Sequence, residues 1–203
     1  NGDGWLSPDV GWDEPADVYV YNPIDPVPTR GGPLCCDPAF QASGAYDQRP
    51  IEARPDVLVY STPPLEEATE VTGPITVTLH ASSSALDTDF TAKLVDVSPC
   101  GYARNLTDGI IRARYSQPRK PAILIQPNQI YEYNIDLWAT SNLFKRGHRI
   151  RLEVSSSNFP RFDRNTNTGE AIGTDAGFVS ALQTVHHTSQ HPSCVTLPIV
   201  PRG

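Results

Sequence analysis

The stretch SSSNFPRFDRNTNTGE, residues 155–170, carries the densest set of hydrogen-bonding and charged side chains in the chain. Asp163, Asn165 and Asn167 alternate as the first three oxygen ligands of a calcium loop do. That loop also needs glycine at its sixth position and a carboxylate at its twelfth. Here those positions are Thr168 and Thr174, so the pattern fails. The reading that remains is an irregular loop held by Asp, Asn and Thr side chains that bond nearby backbone N–H groups.

Other residues of the right types are scattered more thinly. VHHTSQHPSC, 185–194, brings His186, His187, His191 and Cys194 into one window. In a strand, neighbours point to opposite faces, so His186 and His187 are not expected to share a metal. Ordinary hydrogen-bonding histidines in a hairpin fit better. Glu66 and Glu67 lie in a proline-flanked loop, and Asp87 and Asp89 in ALDTDF read as turn residues ahead of a strand. Serine, histidine and aspartate all occur, but no GxSxG elbow is present to expose a nucleophilic serine. Trp5, Trp12, Tyr131, Tyr133 and Trp138 could form a sugar platform if exposed. Tyr131 and Tyr133 share one strand face, which reads equally well as core.

The elements that must position these residues are strands. ITVTLHA, 75–81, alternates strictly, with Ile75, Val77, Leu79 and Ala81 on one face. RIRLEVSS, 149–156, does the same, placing Ile150, Leu152 and Val154 inward and Arg149, Arg151 and Glu153 outward. Further strand-like runs cover 56–61, 90–97, 109–115, 122–125, 130–138, 182–188 and 194–200, separated by turn-like TGP, SPCG, QPNQ and KRGH. Only 140–144 and 174–181 read as helical turns. Many short strands without βαβ alternation predict an all-β, antiparallel two-sheet sandwich, most simply a jelly roll. Residues 1–203 are expected to form one domain, with 1–55 as a loop-rich lead-in and 56–203 supplying the core strands.

Composition narrows the function classes. A hydrophobic share of 38% suits a globular chain, and 20 prolines work against long helices. A net charge of −7 argues against a nucleic-acid partner. No apolar run is long enough to span a bilayer as a helix. A chain that starts at Asn1 and has no methionine is expected to be a processed chain or a piece of a larger protein. Cys35, Cys36, Cys100 and Cys194 match no zinc spacing. They fit free thiols, while a bridge from Cys35 or Cys36 to Cys100 or Cys194 stays open.

Several segments form a colinear series: NPIDPVPTRGG (22–32), ARPDVLVYSTPPL (53–65), TGPITVTLHASSSALDTDFTAKLVDVSPCGYARNLTDGIIRARY (72–115), IDLWATSNLFKRGHRIRLEVSSSNFPRFDRNTNTGE (135–170) and TVHHTSQHPSCVTLPIVP (184–201). The series resembles the C-terminal, non-catalytic domain of the X-prolyl dipeptidyl-peptidase and cocaine-esterase type serine hydrolases, the CocE/NonD group. The resemblance implies a galactose-binding-like jelly roll beside an α/β-hydrolase domain whose Ser-Asp-His triad lies upstream. No triad position, metal or cofactor is therefore expected on this chain. The implied partner is that catalytic domain, with a homo-oligomer as a further expectation. The runner-up function, from fold analogy, is a carbohydrate-binding module.

Members of that group carry one more strand before the segment matching NGDGWLS. The first sheet is thus expected to lack its first strand, leaving an edge that is open or completed by another chain. Phe159, Arg161, Phe162 and Arg164 are the interface candidates, because they bring apolar surface and positive charge to the loop after a core strand.

Overall fold

The computed structural model describes residues 4–9, 13–34, 42–117, 120–171, 173–174 and 176–201. Eleven strands run along it: β1 (Gly4–Trp5), β2 (Glu14–Tyr21), β3 (Leu58–Ser61), β4 (Thr69–Ser83), β5 (Asp89–Val97), β6 (Ala103–Arg112), β7 (Tyr131–Phe144), β8 (Arg149–Ser155), β9 (Ala181–Thr188), β10 (His191–Pro192) and β11 (Cys194–Thr196). Among the described residues, helix is confined to one turn, α1 (Arg49–Glu52), and a 3₁₀ turn at Ala113–Tyr115.

Two sheets result, and among the described strands only the β1–β3 pairing is parallel. One has the order β1-β3-β8-β5-β6. In the other, β4 is the hub. β7 lines one edge of β4 over most of its length, while β9 and β11 share the other edge. β2 and β10 attach to β9. At the fork where β9 gives way to β11, Ser193 fills the gap. Its Oγ accepts the His80 N–H (3.0 Å) and donates to the His186 carbonyl (2.8 Å).

Strand alternation places the core. Ile75, Val77, Leu79 and Ala81 of β4 and Tyr133, Ile135 and Leu137 of β7 face Phe90, Ala92 and Leu94 of β5 and Ile150, Leu152 and Val154 of β8. All are buried. Burying side chains of this size yields about 1.5–3 kcal/mol each before the cost of ordering the chain, so this layer is the main source of stability.

The outer face of the first sheet is covered by the chain's own lead-in. All nine residues of β5 are buried, the outward Thr91, Lys93 and Val95 included. Gln48, fully buried, accepts from Lys93 Nζ (2.8 Å) and also donates to the carbonyls of Arg30 and Tyr46. Arg151 of β8 pairs with Glu52 of α1 at 2.7 Å. The lead-in also supplies a full strand to the second sheet, since β2 pairs with β9 along 17–21. At its other end the first sheet stops on β1, whose two residues pair with Tyr60 and Ser61. Gly4 must be glycine there, because a Cβ would sit 2.0 Å from the Tyr60 ring.

Several local readings change. Residues 174–181 are not a helical turn: 176–180 are irregular and Ala181 opens β9. Residues 140–144 are not a helical turn but the end of β7, held in register by Thr69–Gly73 of β4. The run at 122–125 is not a strand. Only Ile125 plugs the core, while Ile123 and Leu124 stay exposed. The strand expected over 109–115 starts earlier, at Ala103, and ends at Arg112 in the 3₁₀ turn.

Candidate docking site

β8 runs out at Ser155, and the next residues are stitched to the lead-in rather than to a strand. Thr29 N donates to the Phe159 carbonyl (2.7 Å), Phe159 N to the Val27 carbonyl (2.9 Å), and Arg161 N to Thr29 Oγ1 (3.1 Å). Val27 N donates to Ser157 Oγ (2.9 Å) and Tyr19 shares a hydroxyl bond with Ser156 (2.9 Å). The Phe159–Pro160 bond is cis.

Past this seam the loop is anchored on two buried carboxylates. Asn165 Nδ2 donates to Asp87 Oδ2 (2.8 Å) and to Asp89 Oδ1 (2.9 Å), and the Asn165 carbonyl accepts the Tyr21 hydroxyl (3.0 Å). Each carboxylate also has its own arginine. Arg114 reaches Asp87 through Nε (2.7 Å) and Arg112 reaches Asp89 through Nε and Nη2 (2.8 Å each). Burial pushes the Asp89 carboxyl up in pKa, and the Arg112 and Asn165 contacts oppose that shift. Asn167 N donates to Asn165 Oδ1 (2.9 Å) and Asn167 Nδ2 to the Val179 carbonyl (2.7 Å), with Asn167 itself at φ 65°. Asparagine tolerates that left-handed conformation better than most residues. Asn165 and Asn167 thus lock the loop. Among the described residues Asp163 bonds no backbone group; its exposed carboxylate meets Arg112 Nη2 at 3.1 Å.

The four interface candidates divide by exposure. Phe159 is 39% exposed. The Arg161 guanidinium is turned inward, with Nε 3.0 Å from Asp108 Oδ1 and the group 4.8 Å from the Phe162 ring. Arg164 lies 5.7 Å from the Phe159 ring and 4.8 Å from that of Phe178, and donates to the Pro23 carbonyl (3.1 Å). Phe162 and Arg164 are half-buried. The outward surface is therefore Phe159 and Phe178 with Arg164 between them, a cation–π stack of aromatic and positive character. Phe178 was not among the sequence candidates. Its only signal is its place in GFVSA, ahead of β9.

The remaining candidates separate in space. His80, His186 and His191 gather at the fork on the outer face, with ring centroids 5.7 Å (His80–His191) and 6.1 Å (His186–His191) apart. Among the described residues no group of three His, Cys, Asp or Glu side chains is arranged to hold a metal ion. His187 points the other way, into a trio with Asp17 (3.1 Å) and Tyr60 (3.3 Å), while Tyr60 donates to Asp17 (2.9 Å). The trio borders a slot of about 60 Å³ between the sheets, lined by Leu6, Val77, Leu79, Leu152, Val154 and Val185. At about 10–15 Å³ per water that is room for a few waters and too little for a drug-sized ligand.

Glu66 and Glu67 are exposed. Tyr133 is in the core, Tyr131 half-buried, and Trp5 and Trp138 are 68% and 70% exposed on different sheets. Cys100 and Cys194 are exposed free thiols. Cys35, Cys36 and Trp12 lie outside the described residues.

Residues 10–196 match the family described as X-Pro dipeptidyl-peptidase C-terminal non-catalytic domain. The chain is 49% identical over 203 residues to a cocaine esterase of Rhodococcus sp. (strain MB1 Bresler), covering 99% of this chain and 35% of that protein. An aminopeptidase from a marine sediment Thaumarchaeota archaeon superposes with a TM-score of 0.84 at 33% identity, covering 95% of this chain and 34% of that one. A selenomethionine-labelled α-amino acid ester hydrolase superposes at 0.83 with 30% identity, covering 96% and 33%. The chain thus spans about a third of the length of each relative. A β-sandwich whose polar residues brace loops, matched over most of its length by one domain of larger hydrolases, belongs to the family of X-Pro dipeptidyl-peptidase C-terminal non-catalytic domains, as found in CocE/NonD-type hydrolases.

Proposed function

We propose that this chain works as the accessory β-domain of a serine hydrolase that cleaves esters or amides. It packs on a catalytic α/β-hydrolase domain of the same protein and shapes one wall of its cleft. The observation that carries this reading is the coverage: nearly all of this chain aligns, yet it accounts for only 35% of an esterase to which it is 49% identical. Residues 1–203 act as one unit, with the lead-in 1–55 fixed to the strands that follow.

The loop after β8 supplies part of the contact. Phe159 and Arg164 present an aromatic and a charge on a frame fixed by Asn165, so docking would immobilise little that is not already ordered. The test compares the full-length protein with the isolated chain on p-nitrophenyl esters and Xaa-Pro amides. Hydrolysis is expected only in the full-length protein, and turnover by the isolated chain would overturn the reading. Phe159→Ala in the full-length protein should lower its thermal stability more than the same change lowers that of the isolated chain. Equal losses would remove the loop from the contact.

A further inference from the structure

The outer face of β5 and β8 holds a buried polar cluster. Lys93 and Glu153 pair at 3.1 Å with both side chains almost wholly buried. An ammonium has three protons to donate. One goes to Gln48 Oε1 (2.8 Å) and one to Glu153 Oε2 (3.1 Å), leaving one for a further acceptor. Beside the pair is a small, partly open cavity of about 10 Å³, lined by Val27, Thr91, Lys93, Glu153, Ser157 and Asn158 among others.

Two of those lining residues carry a buried oxygen with no partner, Glu153 Oε1 and Asn158 Oδ1. The Asn158 amide cannot turn to relieve this, because its Nδ2 is committed to Asp108 Oδ2 at 2.7 Å. Leaving two buried acceptors unpaired would cost about 1–3 kcal/mol each. A cavity of this size holds one water and nothing larger.

We propose that this cavity is the binding site of one structural water, which donates to Glu153 Oε1 and Asn158 Oδ1 and accepts the third Lys93 proton. The chemistry of the donor set selects water over other small occupants. A metal cation would sit against the Lys93 ammonium, and an anion would face two acceptor oxygens. Water alone supplies two donors and an acceptor at once. Burial also pushes the Glu153 carboxyl up to about 7, with Lys93 opposing that shift, and a donating water favours the charged form in the same direction as Lys93. The water joins the lead-in to the sheet, since Val27 and Gln48 close the cluster from one side and β5 and β8 from the other.

Two measurements on the full-length protein decide it. A crystal structure should show a density peak about 2.7–3.2 Å from Glu153 Oε1, Asn158 Oδ1 and Lys93 Nζ. An empty cavity, or a peak at metal–ligand distances of about 2.0–2.6 Å, overturns the proposal. The second is a sign test with Val27→Ile, which pushes one more methylene into the cavity. If the cavity is dry, filling it raises Tm or leaves it unchanged, and either result overturns the proposal. Expulsion of a water that satisfies two buried acceptors should instead lower Tm by about 4 °C or more.

Discussion

Arg112 grips Asp89 through two parallel contacts, Nε to Oδ1 and Nη2 to Oδ2, both at 2.8 Å. The carboxylate is 1% exposed and the arginine side chain 14%. Removing one partner of a buried pair strands the other charge, which is worth about 3–5 kcal/mol. Arg112→Ala is therefore expected to lower the unfolding free energy by roughly that amount in a denaturant titration. A loss below about 1 kcal/mol would mean that water reaches Asp89 and that the pair does not hold the loop.

Lys93 and Glu153 invite a double-mutant cycle. Lys93→Met alone should cost about 1–3 kcal/mol, because Glu153 loses the ammonium that opposes its raised pKa and takes up a proton, while Gln48 Oε1 loses its donor. Lys93→Met combined with Glu153→Leu removes both charges and should cost much less than the sum of the single changes. Additive losses, read from chemical unfolding of all four variants, would contradict the coupling.

The fork should make stability depend on pH. His186 is held below the ordinary imidazole value by burial first, then by the neighbouring His191, His187 and His80. The folded state thus binds fewer protons at this site than the unfolded chain. The site's contribution is fully present above the unfolded value of 6.5 and is lost as pH falls below it. His186→Gln should flatten the wild-type decline in Tm between about pH 6.5 and pH 5. Parallel curves for the two proteins would refute this.

Trp138 sits where β7 carries one extra residue against β4, between the pairs Pro74–Ala139 and Thr76–Asp136. It adopts φ 65°, is 70% exposed, and donates its N–H to Asp136 Oδ1 (2.7 Å). A left-handed backbone costs most residues about 1–2 kcal/mol, and asparagine less. Trp138→Asn should therefore stabilise the chain by about 0.5–1 kcal/mol, because little packing is lost. Destabilisation in thermal melts would show that the indole packs more than its exposure suggests.

Strand alternation made the core legible, because period two is a local pattern. The faces of 75–81 and 149–156 can be read directly from their residues, and both lie as expected. What sequence reading missed are contacts between distant parts of the chain. Asp87 and Asp89 looked like turn residues, yet they anchor Asn165, 78 and 76 positions away. Nothing in ALDTDF shows that two arginines and an asparagine converge on it. Glu153 reads as an outward residue of a half-buried strand, and it does point outward, paired with Lys93 of β5. The lead-in then folds over them through Gln48, 45 positions from Lys93. The run at 122–125 misled for the opposite reason, since an apolar stretch without alternation does not say which of its residues will be inside.

That covering of β5 on both sides has a consequence for how the domain can change over time. β5 is insulated, so a partner that approaches it meets the lead-in and the connecting loops, whereas Trp5 of β1 stays exposed at the end of that sheet. Contact chemistry can then drift residue by residue in those outer segments while strand register stays untouched. In engineering terms, the lead-in is an exchangeable sleeve. Its outward side chains are the place to retune affinity for a neighbour, provided that Val27, Gln48 and Glu52 keep their inward grip.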